Sequence, residues 1–230
     1  MESWLRKPVS EKIIQDFKLQ LNVPVFIQKL FGSVTWRMPD TDPFLFITFD
    51  DGPNPEVTPR VLEILKHFKA KATFFCVGEN IEKHRGVFEK TVADGHVIGN
   101  HTYHHLNGWR TKTDAYIEDV KKCDKMLQFQ NPKSEIRNPK LFRPPYGKIR
   151  PSQISNLRSQ YSIIMWDVLS RDYDENISGE KCLLNVTGHA RNGSIIVFHD
   201  SMRAKDRVLY ALPKVLEYFS ERNYSFKSLQ

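Results

Sequence analysis

The chain has 230 residues, of which 40% are hydrophobic and 12% aromatic, enough for one large α/β domain with a full core or for two small domains. It contains no run of about 18 apolar residues, which excludes a transmembrane helix, and its N-terminus lacks the apolar segment of a secretory signal. The net charge of +7 comes from scattered Lys and Arg residues, so a solvated basic surface is favoured over a nucleic-acid site. We therefore expect a cytoplasmic protein, or one bound at a membrane surface, with no nucleic-acid partner.

Residues 1–43 differ from the rest of the chain and are predicted to form an N-terminal extension. A short helix is expected within residues 9–21, and a second apolar piece covers residues 23–31. Basic residues flank both pieces. Two interpretations stay open: the extension packs on the following domain, or residues 1–35 lie on a membrane surface as an amphipathic segment.

From residue 44 onward, short apolar runs alternate with helix-like segments, and residues 44–230 are predicted to form one domain. The strand-like runs cover residues 44–49, 72–77, 96–99, 141–143, 162–167, 194–198 and 224–227. This alternation predicts an α/β fold in which a mostly parallel sheet of about seven strands is covered by helices. Such a sheet is either open or closed into a barrel.

Chemically capable side chains stand where five of the predicted strands end. They are Asp50 and Asp51 after the first strand, His101, His104 and His105 after the third, Arg143 at the end of the fourth, Asp167 at the end of the fifth, and His199 and Asp200 after the sixth. Because the carboxyl ends of parallel strands share one face of a sheet or barrel, these residues are expected to converge there. This convergence predicts an enzyme.

The histidines suggest a metal site. His101 and His105 are four residues apart, so on a helical turn both imidazoles would lie on one side and could reach a single ion. His104 falls off that side and is expected to be a hydrogen-bonding neighbour. Two His nitrogens and one Asp oxygen suit a catalytic zinc site, and they also suit Fe, Co or Ni. The alternative, a polar surface cluster, is disfavoured because an aspartate pair ends a neighbouring strand.

The remaining polar residues suggest acid–base chemistry. One aspartate of the pair Asp50 and Asp51 is expected to bind the cation, while the other accepts a proton from water that the cation acidifies. Arg143 is expected to orient the free aspartate by a bidentate contact. His199 is expected to protonate a leaving group, with Asp167 holding its second nitrogen and keeping it cationic. Together these residues predict metal-dependent hydrolysis.

Taken together, the motifs closely resemble those of the NodB-homology polysaccharide deacetylases (carbohydrate esterase family 4), which remove acetyl groups from N-acetylated glycans. The similar segments are Thr-Phe-Asp-Asp-Gly-Pro at 48–53, His-Thr-Tyr-His-His at 101–105, Arg-Pro-Pro-Tyr-Gly at 143–147, Asp-Val-Leu-Ser-Arg-Asp-Tyr at 167–173 and Val-Phe-His at 197–199. The resemblance covers residues 44–229 and implies an irregular (β/α) barrel. Five motifs in order are specific, whereas any one alone would not be.

The resemblance implies a role for each motif residue. It makes Asp50 the general base, Asp51, His101 and His105 the metal ligands, and His199 the acid. It also implies that Arg143 positions Asp50, that the Tyr146 backbone amide helps to stabilise the oxyanion, and that Tyr173 stands in the groove wall where tryptophan is usual. The departures at Tyr173 and Val197 bear on substrate preference more than on activity.

We therefore expect a metal-dependent hydrolase, with zinc as the favoured ion, that removes acetyl groups from amino sugars like those of peptidoglycan or chitin oligomers. O-deacetylation, or hydrolysis of another amide such as a cyclic imide, stays open on the same site. A non-catalytic glycan- or membrane-associated module is a further alternative, although the intact metal and base set argues against it. The sequence leaves the oligomeric state open.

Overall fold

Strands and helices alternate along the chain as the sequence pattern predicts. The computed structural model describes residues 34–39, 41–130 and 140–229. Its strands are β1 (Phe44–Asp50), β2 (Ala72–Cys76), β3 (Val97–Asn100), β4 (Lys140–Phe142), β5 (Tyr161–Ile163), β6 (Val168–Leu169), β7 (Ile195–His199) and β8 (Ser225–Phe226). Its helices are α1 (Thr58–His67), α2 (Gly78–Lys83), α3 (Arg85–Ala93), α4 (Thr113–Gln130), α5 (Pro151–Leu157), α6 (Gly179–Thr187) and α7 (Lys205–Ser220), with a 3₁₀ turn at Pro145–Gly147.

The strands form one parallel sheet with β1 near its centre. Their order is β5-β4-β3-β2-β1-β7-β6, and β8 pairs with the start of β1. The strand pairs in this path are parallel, and the sheet curls into a half-barrel whose edges are β5 and β6. The predicted α/β class and irregular (β/α) barrel are therefore confirmed.

Alternation along β1 separates the hydrophobic core from the chemistry. Successive side chains of a strand point to opposite faces, and Leu45, Ile47 and Phe49 all lie in the buried cluster that the helices cover. Phe49 stacks on Phe74 of β2, with ring centroids 4.8 Å apart, and burying each such ring contributes about 1.5–3 kcal/mol. The alternate positions, including Asp50, then face the inside of the curled sheet. The apolar residues of β1 thus fix the strand in the core, and the alternation places Asp50 on the opposite face of the sheet.

The predicted strand over residues 162–167 is wrong in its extent. Strand β5 ends at Ile163, and the chain then crosses to the opposite edge of the sheet, where β6 begins at Val168. A continuous apolar run does not reveal this crossing, because the connecting residues Ile164 and Met165 are buried as well. As a result Asp167 precedes a strand, and its backbone N–H donates to the carbonyl of Ile195 at the start of β7.

Residues just before β1 also contact the sheet. Thr35 forms an isolated bridge to Ile164, and Arg37 forms one to Ser194. The helix expected within residues 9–21 and the apolar piece at 23–31 lie outside the described residues. Among the described helices, none combines the length and apolar character that crossing a bilayer requires.

Candidate active site

The carboxyl ends of the strands bring the predicted site residues to one edge of the sheet. Asp50, the last residue of β1, is the register partner of His199, the last residue of β7. On the other side of β2, Asn100 of β3 pairs with Phe142 of β4, so that the next residues, His101 and Arg143, follow paired positions. The residues brought together in this way are Asp50, Asp51, His101, His105, Arg143 and His199.

Asp51, His101 and His105 form a compact group of ligand atoms. One atom from each lies within 4.8 Å of the others. The Nε2 atom of His105 is 3.1 Å from Asp51 Oδ1, and that of His101 is 3.8 Å from the same oxygen. The three side chains therefore surround a single point.

The loop after β3 carries the two histidines, and it is not the helical turn predicted from their spacing. Thr102 (φ 62°) and His105 (φ 55°) both have left-handed backbone conformations, which an α-helix excludes. The Asn100 side chain accepts a hydrogen bond from the Thr102 amide at 2.8 Å, and Thr102 Oγ1 accepts one from the Leu106 amide at 3.0 Å. These local bonds replace the helical ladder and still bring the imidazole centroids to 5.1 Å.

Asp119 on α4 holds the same loop from outside. Its buried carboxylate accepts hydrogen bonds from the backbone amides of Tyr103 and His104, at 2.8 and 3.0 Å. It also lies 2.5 Å from Nδ1 of His104. As expected, His104 is a hydrogen-bonding neighbour and stands apart from the group of ligand atoms. A helix carboxylate therefore holds the loop in addition to the loop's own side-chain contacts.

The protonation states of the group suit a cation. Nδ1 of His101 is 2.8 Å from the carbonyl oxygen of Arg143, which only accepts, so Nδ1 carries the proton and Nε2 keeps a lone pair. Burial lowers the pKa of His101 to about 4, so the imidazole is neutral at pH 7. Burial alone would raise the pKa of Asp51, but the His105 hydrogen bond and the nearby histidine charges hold it well below its usual range. Two imidazoles and a carboxylate are donor types that fit a divalent first-row metal.

A buried carboxylate, Asp200, positions the turn that carries Asp51. Asp51 has a φ of 81°, and its carbonyl accepts a hydrogen bond from Asn80 at 2.7 Å. The next amide, of Gly52, donates to Asp200 Oδ1 at 3.0 Å, while Thr58 donates to Oδ2 at 2.5 Å. A Cβ atom on Gly52 would lie 2.1 Å from Asp200, so only glycine fits.

Arg143 orients Asp50 from inside the barrel. Its guanidinium is fully buried and donates through Nη1 to Asp50 Oδ1 and to Thr48 Oγ1, both at 2.7 Å. Nη2 and Nε donate to the carbonyls of Met165 and Ile164. The predicted bidentate contact is therefore wrong: a single N–H of Arg143 donates to Asp50, and three of its other four N–H groups donate to Thr48, Ile164 and Met165. Arg143 therefore holds Oδ1 of Asp50 and makes no hydrogen bond to Oδ2.

His199 is held by Asp172. The backbone amide and Nδ1 of His199 each lie 2.7 Å from an oxygen of this fully buried carboxylate. Burial alone would lower the pKa of His199, but the charge and hydrogen bond of Asp172 raise it to about 9. The imidazole is therefore a cation at neutral pH, with Nε2–H available as a proton donor.

Asp167 does not hold His199, so that prediction is wrong. Its carboxylate accepts hydrogen bonds from Ser194 Oγ at 3.0 Å and from the Ile195 amide at 2.8 Å. Ile195 is the first residue of β7, whereas His199 is its last, four residues later, which is a rise of roughly 13 Å. Because β6 begins after Asp167, this carboxylate lies near the amino ends of the strands, and Asp172 takes the expected contact.

Two tyrosines adjoin the group. Tyr146 lies in the 3₁₀ turn with a φ of 60°, and its hydroxyl is 3.1 Å from Nδ1 of His105. Its ring is 59% exposed. Tyr173 meets His199 edge-on, with ring centroids 5.1 Å apart. The oxyanion role of the Tyr146 amide and the groove-wall role of Tyr173 stay predictions.

The sequence assigns no role to two buried carboxylates, Asp172 and Asp119, and it places Asp200 at a strand end without a partner. Asp172 had a signal, since it is the second aspartate of the motif that contains Asp167. Asp200 directly follows His199, so its position was visible although its contact with the Gly52 turn was not. Asp119 had no local signal, because it reaches the histidine loop from a helix 15 and 16 residues further along the chain.

The sequence is similar to that of known deacetylases. The profile described as polysaccharide deacetylase matches residues 37–161. A peptidoglycan-N-acetylglucosamine deacetylase of Bacillus cereus is 31% identical over 197 residues, covering 85% of this chain and 90% of that protein. A chitooligosaccharide deacetylase of Azorhizobium caulinodans is 34% identical over 170 residues, covering 71% of this chain and 77% of that protein.

The fold is also similar to a solved structure. The crystal structure of a peptidoglycan N-acetylglucosamine deacetylase in complex with a substituted benzamide superposes with a TM-score of 0.81 at 30% identity. The superposition covers 90% of this chain and 95% of that chain. The profile match alone spans more than half of the sequence and includes Asp50, Asp51, His101, His105 and Arg143. The chain therefore belongs to the polysaccharide deacetylase family.

Proposed function

We propose that this chain is a metal-dependent N-deacetylase that hydrolyses the acetamido group of N-acetylated glycans. The observation that carries the proposal is the buried Asp50–Arg143 pair beside the Asp51, His101 and His105 group. The substrate class is supported by the relatives, which are named for peptidoglycan N-acetylglucosamine and for chitooligosaccharides. Peptidoglycan- or chitin-like oligomers are therefore the substrates to test.

Asp51, His101 and His105 would hold the cation. Zinc is the ion we propose, and Co, Ni or Fe suit the same donors. A divalent cation bound there supplies Lewis acidity, which lowers the pKa of a water molecule and polarises the acetyl carbonyl. The hydrogen bond from His101 Nδ1 to the Arg143 carbonyl keeps Nε2 directed at the ligand position.

Asp50 is proposed as the general base. The oxygen that Arg143 leaves available can take a proton from the attacking water, and the arginine fixes the direction of the carboxylate. The hydroxide left by this proton transfer then adds to the carbonyl carbon of the acetyl group. The Tyr146 amide is proposed to donate a hydrogen bond to the developing oxyanion.

His199 is proposed as the general acid. Its Nε2 proton passes to the sugar nitrogen as the C–N bond breaks, so that acetate and a free amine leave. Because His199 and Asp50 are register partners on adjacent strands, acid and base flank the same group. Asp172 keeps the imidazole protonated before the step.

Two variants separate metal binding from base catalysis. Asp50→Asn should retain the metal and lose about 10²–10⁴-fold in activity, because the proton acceptor is gone. His101→Ala should lose the metal itself. Elemental analysis and acetate release from N-acetylglucosamine oligomers measure the two effects, and His67→Ala, on the exposed end of α1, is the matched control. Full activity of Asp50→Asn, or unchanged metal content of His101→Ala, would contradict the roles.

A substrate panel distinguishes the alternatives. Acetate release from acetylated amino sugars supports N-deacetylation, whereas release from acetyl xylan alone would assign O-deacetylation. No release from any substrate by metal-loaded protein would assign a non-catalytic role.

We propose that residues 1–43 extend the catalytic domain 44–230, and that residues 1–35, with basic flanks, contact a membrane surface. Sedimentation with anionic vesicles measures that contact, and its absence would contradict it.

A further inference from the structure

Two exposed aromatic rings lie on adjacent loops at the edge of the candidate site. Trp109 is 38% exposed and Tyr146 is 59% exposed, and among the described residues the remaining exposed large aromatic side chain is Tyr210, on α7. The Tyr146 ring lies against His105, with centroids 4.6 Å apart. Exposed aromatic surface concentrated at one place indicates a binding surface.

The Trp109 ring is fixed in place although it is exposed. Its indole N–H donates to the carbonyl of Ile149 at 3.2 Å, and the neighbouring Gly108 amide donates to the Lys148 carbonyl at 3.2 Å. Gln153 donates to the Gly108 carbonyl at 2.9 Å. A ring held by one edge presents a preformed apolar surface, on which the C–H face of a sugar can stack without ordering a loop first.

The Trp109 ring is also close enough to the metal-binding group to serve the same glycan chain. Ile149, which holds the indole, is three residues from Tyr146, so their Cα atoms lie at most about 11 Å apart. The rings of Tyr146 and Trp109 are therefore near enough for one bound oligosaccharide to contact both.

The two loops are basic. Residues 105–113 contain Arg110 and Lys112, residues 144–153 contain Lys148 and Arg150, and neither segment contains Asp or Glu. The Lys148 ammonium lies 5.3 Å from the centroid of the Trp109 ring. The surface thus presents an apolar ring with a cation over one of its faces, a combination that is complementary to a sugar that carries a carboxylate.

We propose that Trp109, Tyr146 and Lys148 form a glycan-binding wall, which stacks the sugars next to the acetamido group being hydrolysed and selects glycans bearing carboxylates over neutral ones. The inference rests on the proposed function and names the substrate class within it. The side chains of this wall contribute to glycan binding and take no part in proton transfer, which is proposed for Asp50 and His199.

Binding without turnover tests the wall. The full chain with Asp50→Asn, loaded with zinc, is titrated calorimetrically with two glycans of equal length: neutral N-acetylglucosamine oligomer, and an oligomer alternating N-acetylglucosamine with carboxylate-bearing N-acetylmuramic acid. Adding Trp109→Ala should weaken both affinities about tenfold, because the ring that the bound glycan would cover is lost. Trp109→Phe should restore most of the affinity and Trp109→Leu should not, which separates stacking from bulk.

The charge is tested separately. Lys148→Gln should weaken binding of the carboxylate glycan about threefold or more and leave the neutral glycan little changed. High salt should remove this difference, because it screens exposed charges. Tyr210→Ala and Lys66→Gln, an aromatic ring on α7 and an exposed cation near the end of α1, are controls that should bind both glycans as the parent does.

The outcomes distinguish this inference from the proposed function. Unchanged affinity of Trp109→Ala, or equal preference for the two glycans in the parent and in Lys148→Gln, would overturn the wall even if the wild-type chain releases acetate. Conversely, the expected binding changes without acetate release by the wild-type chain would retain the wall and overturn the deacetylase activity.

Discussion

His199 and Asp172 illustrate how a buried carboxylate sets the chemistry of a neighbour. Both carboxylate oxygens of Asp172 contact His199: one accepts a hydrogen bond from the backbone amide, and the other contacts Nδ1 of the ring. The pKa of His199 is raised to about 9, so the protonated imidazole also stabilises the folded state. That contribution is fully present below the ordinary histidine pKa of about 6.5 and is lost as the pH rises through about 9.

Asp172→Asn should move the alkaline limb of the pH–activity profile. The amide removes the charge that favours the imidazolium, so activity should decline at a lower pH than in the wild-type enzyme, with about a 10²-fold loss near pH 8. The measurement is kcat/KM against pH on an N-acetylglucosamine oligomer. Asp167→Asn is the matched control, and we expect its limb to stay in place. A shifted limb in Asp167→Asn alone would contradict the assignment.

The sequence could predict which residue types converge, but not every partner. The adjacent Asp50 and Asp51, the histidine pair and Arg143 were visible because each follows an apolar run. The run 162–167 reads as one strand and so predicts Asp167 beside His199, whereas the crossing between the sheet edges places Asp167 near the opposite ends of the strands.

The loop after β3 shows a dependence between elements. The spacing of its histidines was readable, whereas its left-handed residues, Thr102 and His105, are set by contacts with the Asn100 side chain and with α4. Such contacts join residues that no local pattern relates. The periodicity therefore predicted a helical turn where a hydrogen-bonded loop exists.

Asp119→Ala should weaken metal binding although Asp119 touches no metal ligand atom. Losing the two amide contacts loosens the loop, and supporting contacts of this kind are worth about 10–100-fold in affinity. Titration with Co²⁺, followed by its visible spectrum, gives both the affinity and the ligand geometry. Asp114→Ala, an exposed carboxylate in the first turn of the same helix, should leave both unchanged. An unaltered spectrum and affinity in Asp119→Ala would show that the loop holds itself.

In the molecule as a whole, the group formed by Asp51, His101 and His105 joins two loops that the sheet brings near each other. Asp51 follows β1, while His101 and His105 follow β3, and β2 lies between these strands. The ligand group exists only when the sheet is formed, so a cation that binds it should stabilise the native state.

Zinc should therefore raise the midpoint of thermal unfolding. At a free concentration of 100 times Kd the stabilisation is about 2.7 kcal/mol, which corresponds to roughly 5–10 °C for a chain of this size. Differential scanning calorimetry with and without zinc measures the shift. His105→Ala should abolish it, and an equal shift in that variant would mean that the ion binds elsewhere.

The pairing of Asp50 with His199 across β1 and β7 has a consequence for how this enzyme can change. The backbones that carry Asp50 and His199 lie about 4.8 Å apart, the spacing of neighbouring strands, and main-chain hydrogen bonds maintain that spacing. Residues 106–113 and 147–153, in the loops beyond His105 and Tyr146, take no part in that spacing. Exchange of these segments between relatives can therefore change glycan choice while the spacing of Asp50 and His199 is retained.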